Sequence, residues 1–200
     1  MKRLPFVLTA APGADVTAGA TKAAALAAKM GGGNVSVWGI REFLFCYGEY
    51  PAGSEFPAGA LDDLPAGVEV FAGPGTLPLM YHDIGIVRQD KSLIRHRVFA
   101  TRLKEGCAEE YKRRHDALIE ARGDAVKEGP ESNFTIWNAN GYIFGYCELV
   151  RAFDHEKTEE EKAADIAWET RQLEIMDWLT DDVDWITGQK HDAIRLVYRQ

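Results

Sequence analysis

Two residues four apart, Tyr111 and His115, are where this sequence can do chemistry. On a helix of 3.6 residues per turn, positions i and i+4 stand on one face, one turn apart. The stretch Glu109-Glu110-Tyr111-Lys112-Arg113-Arg114-His115-Asp116 reads as such a helix, entered through a Gly106-Cys107-Ala108 turn. Leu118 and Ile119 follow on the Tyr/His side, so that side is expected to face inward. An imidazole titrates near neutrality and a phenol keeps its proton until about pH 10, so together they can pass protons to and from one bound molecule. The plainer alternative is a packed, hydrogen-bonded Tyr and His with no chemistry. Arg113 and Arg114 are expected to be solvated or ion-paired.

The elements that must hold these residues recur along the chain. A strand-like run at 97–103 precedes the Tyr/His helix. Asn133-Phe134-Thr135-Ile136-Trp137 and, four residues on, Tyr142-Ile143-Phe144-Gly145-Tyr146-Cys147-Glu148 follow it as a β-hairpin. About a hundred residues earlier, Asn34-Val35-Ser36-Val37-Trp38 and, four residues on, Phe43-Leu44-Phe45-Cys46-Tyr47-Gly48-Glu49 repeat the pattern without a gap, with identical Asn, Trp, Phe, Tyr and Glu. Upstream, Phe6 falls on Phe99 and Gly13 on Gly106, with an alanine-rich helix over 15–30 capped by Asp15. In that first copy Ala18 falls opposite Tyr111 and Lys22 opposite His115, so it lacks the proton-transfer pair and reads as scaffold. After its hairpin comes 51–78, rich in Gly, Pro and Ala, with room for a two-turn helix at most, then a strand at 84–87. The second copy instead predicts a helix over 158–179, opened by a Thr158/Glu161 capping box and carrying Ile166, Leu173, Met176 and Trp178, then an acidic loop and a last strand at 193–198.

The Glu-Glu-Tyr-Lys-Arg-Arg-His motif resembles the signature of the L-rhamnose mutarotase family, and the likeness continues through Asn133–Trp137 and Tyr142–Tyr146 over roughly the second half of the chain. The resemblance implies a ferredoxin-like βαββαβ module, with Tyr111 and His115 in a sugar-binding catalytic site. It implies interconversion of the α and β anomers of L-rhamnose or a related aldose, by acid/base ring opening without metal or organic cofactor. Family members cover the bare face of the sheet by pairing two modules into a dimeric α+β barrel. Two modules here, at 1–90 and 95–200 with a short charged joint at 90–97, imply a covalent pseudo-dimer, closely docked; a further homodimer of the whole chain stays open. Phe134 stands where relatives often carry tyrosine. Ile175-Met176 falls where they often carry adjacent tryptophans on the second helix. Trp137, Phe134, Trp178 and Met176 are the expected sugar contacts, although alternation along a strand separates Phe134 and Ile136 from Thr135 and Trp137.

Composition narrows the alternatives. A net charge of −8 argues against nucleic acid or an anionic membrane as partner and leaves a neutral monosaccharide open. Cys46, Cys107 and Cys147 form no Cys-x-x-Cys pair and suit a reducing cytoplasm; no zinc site can be built on them. The apolar run after Lys2-Arg3 is short and broken by Pro5, so it is read as a strand rather than a leader. Gly31-Gly32-Gly33 follows a helix, whereas phosphate loops precede one. His82-Asp83 and His191-Asp192 read as turn structure, and His96 and His155 stand alone. Two other classes remain beside the mutarotase: a non-catalytic sugar-binding or structural module, and a ferredoxin-like monooxygenase or haem-handling relative.

Overall fold

A computed structural model of the chain describes residues 1–126, 129–150, 157–181 and 194–200. It is an α+β fold of two ferredoxin-like modules, forming two compact units: Met1–Pro78 with Ala193–Gln200, and Leu79–Asp192. No helix among the described residues is long and apolar enough to cross a membrane.

Unit 1 begins with a two-residue strand β1 (Lys2–Arg3) and β2 (Phe6–Ala10). Helix α1 (Val16–Lys29) starts where the Asp15 carboxylate accepts from the Ala18 backbone N–H at 2.8 Å. Strands β3 (Gly33–Ile40), β4 (Phe43–Tyr50) and β5 (Val68–Ala72) complete it, in the order β5-β2-β4-β3. Between β4 and β5 no helix forms. Phe56, Leu61 and Leu64 of that loop pack on the core instead. The expected order strand-helix-strand-strand-helix-strand is therefore cut short here.

Unit 2 follows the same plan in full: β7 (Ile94–Leu103), α2 (Ala108–Arg122), β8 (Glu131–Ala139), β9 (Tyr142–Val150), α3 (Glu159–Gln172) and β10 (Met176–Asp181), with sheet order β10-β7-β9-β8. The single helix expected over 158–179 is thus a helix and a strand. It opens on the expected capping box, the Thr158 and Glu161 side chains each accepting from the other's backbone N–H. It ends at Gln172, where Arg114 takes the Arg171 carbonyl and the Lys104 ammonium takes those of Leu173 and Glu174. Met176 and Trp178 then pair with Leu103 and Thr101 across the sheet.

Each sheet gains one further strand, and here the strand boundaries depart from expectation. The first copy's last strand is β6 (Leu79–Asp83), not 84–87, where Gly85 takes a left-handed φ of 53°. β6 pairs with β8 and so lies in unit 2. The last strand of the chain, β11 (Ile194–Arg199), pairs with β3 in unit 1. Residues 90–97, the expected joint, lie inside unit 2 as a 3-10 turn at Lys91–Leu93 and the start of β7. The acidic loop after Asp181, His155 and His191-Asp192 lie outside the described residues.

The repeated identities have a physical cause. Asn34 and Asn133 each adopt a left-handed conformation (φ 49° and 52°) at a bulge, where the register with the next strand slips. Each Asn side chain then donates to the carboxylate of Glu49 or Glu148 (3.0 and 3.1 Å), which also accepts from the hydroxyl of Tyr47 or Tyr146 (3.0 and 3.1 Å). Trp38 and Trp137 fall on the same register, opposite Phe45 and Phe144. Glu148 is wholly buried and its charge is met by Lys91 at 2.8 Å. Asn is the side chain that both tolerates positive φ and reaches the carboxylate. Asn133→Ala is therefore expected to destabilise the protein by about 3 kcal/mol in urea unfolding, the sum of a left-handed penalty and a hydrogen bond to a charged group. Asn133→Gly should recover the backbone part alone.

Candidate functional site

Helix α2 carries Glu109 and Glu110 in its first turn and Arg122 in its last, charges that suit the helix dipole. Its buried residues are Tyr111, Arg114 and His115, an unusual inward face for a helix. Arg114 holds it in place: its guanidinium meets Glu110 at 2.7 Å, Glu174 at 2.9 Å and the Arg171 carbonyl. The expected solvated or ion-paired arginines are an exposed Arg113 paired with Glu110 and a buried Arg114 that ties α2 to the end of α3.

His115 is 5% exposed and its Nδ1 lies 2.9 Å from the Tyr111 carbonyl oxygen. A carbonyl only accepts, so Nδ1 carries the proton and the Nε2 lone pair is left to accept another. The Tyr111 ring stacks on the imidazole at 4.2 Å between centroids, while Tyr81 and Trp168 meet it edge-on at 5.3 and 5.4 Å. Burial among these rings lowers the His115 pKa to about 4, against a smaller upward pull from its bond to the Tyr111 carbonyl. The ring is neutral at pH 7. Burial raises the Tyr111 phenol well above its ordinary value; the Glu169 carboxylate adds to this and the Arg97 guanidinium opposes it.

Tyr111 and His115 open onto a pocket of about 980 Å³ within unit 2. The sheet supplies its floor: Phe99 and Arg97 from β7, Phe134 and Ile136 from β8, Met176 and Trp178 from β10, Tyr81 and Asp83 from β6. Phe99 can lie flat there because its neighbour is Gly145; a Cβ on that residue would fall 2.0 Å from the ring. Helix α3 is the roof. Glu161, Ala164, Asp165, Trp168, Glu169 and Gln172 line the pocket at spacings of three and four, and Gln172 alone on this helix is buried. Ile166, expected on its apolar stripe, is 42% exposed.

Of the six residues picked from the sequence, Tyr111, His115, Phe134, Met176 and Trp178 meet at this pocket. Trp137 does not; alternation on β8 turns it to the other face of the sheet. Met176 lies on a strand, so the adjacent tryptophans of relatives cannot be matched to Ile175-Met176 as helix residues. The helix instead presents Trp168 followed by Glu169. Trp168, Tyr81 and Gln172 were not among the residues the sequence singled out; 161, 164, 165, 168, 169 and 172 form one helical stripe of mixed polarity, which periodicity alone does not mark. Tyr81 and Asp83 gave no signal either, because they reach the site by pairing across more than fifty residues. Among the described residues no three His, Cys, Asp or Glu side chains are grouped to hold a metal ion.

The family model described as L-rhamnose mutarotase matches residues 96–199. The chain belongs to the L-rhamnose mutarotase family. None of the curated proteins and none of the solved structures matches it. The match takes in β7 to β11 and leaves the first copy outside, so this member of the mutarotase family is a tandem duplication with a degenerate N-terminal half. Tyr81 and Asp83 lie outside the matched stretch, yet line the mutarotase unit's pocket.

The helix caps show what the degenerate half lost. Asp15 caps α1 and Cys107 caps α2, an offset of 92, because the first copy has one more residue between Gly13 or Gly106 and the cap. Gly19 and Ala23, rather than Ala18 and Lys22, therefore stand at the places of Tyr111 and His115, and both are buried. Lys22 is half-buried and paired with Asp63. Gly19 sits so close to the sheet that a Cβ would meet Val68 at 3.3 Å.

Two outcomes test this geometry in the mutarotase unit. His115 is held neutral, with a folded pKa of about 4 against about 6.5 unfolded. Between these values the unfolded chain binds the proton and the native state does not, so stability is unaffected above pH 6.5 and falls as pH drops toward 4. Between pH 7 and 4.5 the parent should lose roughly 2.5 kcal/mol more than His115→Asn in urea unfolding. Gly145→Ala should push the Phe99 ring off the floor and lower both Tm and sugar affinity; the same change at Gly33, where a Cβ meets nothing, is the control.

Proposed function

We propose that unit 2 is an aldose mutarotase that opens and recloses the pyranose ring of L-rhamnose or a closely related sugar, by general acid/base chemistry on Tyr111 and His115. The observation that carries the reading is the stacked pair at the pocket, an imidazole with an open acceptor nitrogen beside a protonated phenol. His115 Nε2 takes the proton of the anomeric hydroxyl as C1=O forms and the bond from C1 to the ring oxygen breaks. The ring oxygen receives the Tyr111 proton. After the C1–C2 bond turns, reclosure reverses both transfers and gives the other anomer. Burial raises the Tyr111 pKa, and the Arg97 guanidinium, which opposes that rise, eases the charge left on the phenol oxygen.

Binding follows from the same walls. Trp168, Trp178, Phe99 and Phe134 offer flat apolar faces for sugar C–H bonds, and the carboxylates of Asp83, Glu161 and Glu169 offer acceptors for hydroxyls. Asp83 is held by Arg122 at 2.7 Å, and Asp165, also on the wall, is held by Lys157. A compact aldose fits a pocket of this size.

The reading is tested by magnetisation-exchange NMR on reducing sugars. The unmodified protein should speed anomer exchange of L-rhamnose or a near relative. His115→Asn should lower that rate by roughly 10²–10⁴-fold with the circular dichroism unchanged. Tyr111→Phe should cost less if the phenol chiefly orients the ring oxygen. An unmodified protein that leaves every aldose at its uncatalysed rate overturns the proposal, as does a fully active His115 variant.

A further inference from the structure

Gln172 is the last residue of α3 and is 2% exposed, yet among the described residues neither its Oε1 nor its Nε2 has a hydrogen-bond partner. It lines the pocket one turn after Trp168 and Glu169. A buried amide left unpaired is costly, and an apolar side chain of equal length would avoid that cost. The ordinary structural use of a polar group here, capping the helix end, is already filled by Arg114 and Lys104. The unsatisfied donor and acceptor, each closed to water as the side chain stands, belong to a residue at the wall of a pocket, and a ligand carrying both would pair them once the amide turns toward it.

We infer that Gln172 is a sugar-contact residue, its amide oxygen accepting from one hydroxyl and its N–H donating to the next on the same ring. This rests on the mutarotase reading and adds to it the feature recognised: two neighbouring hydroxyls rather than the anomeric centre. Hydroxyls suit the site because each both donates and accepts, so the two halves of the amide are satisfied by two adjacent positions. The amide is uncharged and does not titrate, so this contact persists as pH falls toward the range in which His115 takes a proton. A site built to pair with a hydroxyl rejects the analogue lacking it, because the amide is then buried unpaired again.

The experiment compares the unmodified protein with Gln172→Met, which keeps length and removes hydrogen bonding. Each is measured on L-rhamnose and on analogues lacking one hydroxyl at C2, C3 or C4. The methionine variant should have a Tm equal to or above the parent, since it removes an unpaired buried amide. Its exchange rate at low L-rhamnose should fall by roughly 10–100-fold. The unmodified protein should show a similar loss on the analogue without the contacted hydroxyl, and on that analogue the two proteins should be alike. A lowered Tm, an equal loss on every analogue, or no loss at all overturns the inference, even with the unmodified protein active. If the unmodified protein exchanges no sugar, the mutarotase reading fails separately. Ligand-observed NMR of L-rhamnose binding then decides: weaker binding by the methionine variant sustains the contact, while equal binding, or none by either protein, removes it.

Discussion

Bulk on the inner face of the first helix governs what each unit becomes. In unit 1 that face is Gly19, Ala20, Ala23, Ala24 and Ala27, and at Gly19 the helix sits close against Val68 and Leu44. Phe56, Leu61 and Leu64 fill the remainder from a loop. In unit 2 the face is Tyr111, Arg114 and His115, whose size and polarity forbid the same close seat. Large polar side chains on a core-facing helix need partners, and they find them at the edges: Arg114 at the end of α3, His115 on its own helix's carbonyl. What stays between helix and sheet is a cavity.

The sheets tolerate this difference because their stability comes from elsewhere. Each hairpin is pinned by an Asn at positive φ that feeds a buried Glu, with a Tyr hydroxyl on the same carboxylate oxygen. That arrangement fixes register, since a slip by one residue would strand the carboxylate. It is the same in both units, whereas the helix faces above have diverged. The scaffold and the chemistry of this chain have thus been free to vary apart.

Much of this was legible in the sequence. The Asn…Trp…Phe-x-Tyr-x-Glu spacing marked the duplicated hairpins, because a gapless repeat of polar and aromatic identities reflects contacts inside each copy. The Tyr111/His115 pair was legible for the same reason: its geometry is local to one helix. What failed was non-local or a matter of one residue. Nothing in Leu79–Asp83 distinguishes a strand that pairs with its own module from one that pairs with β8, so Tyr81 and Asp83 stayed hidden. The run 158–179 reads as one helix because Met176 and Trp178 fit an apolar stripe. The break after Gln172 is set by Lys104 and Arg114, far away in sequence. The one-residue difference before the helix cap shifted Gly19 and Ala23 out of sight behind Ala18 and Lys22.

Helix α3 does not turn inward the stripe that its apolar residues predict. Amphipathic analysis assumes that the inward face of a helix is apolar, an assumption that holds where the helix packs on a core. A helix that walls a pocket instead of packing on a core can turn polar side chains inward and leave an isoleucine in water, as Ile166 is. Along the inner stripe of α3 the polar character runs from the capping Glu161, through Asp165 and Glu169, to the closed end at Gln172. Glu161 at the start of the stripe is exposed, and Asp165 and Glu169 are half-buried. A neutral amide sits at the buried end, where a carboxylate would have to be paired or protonated.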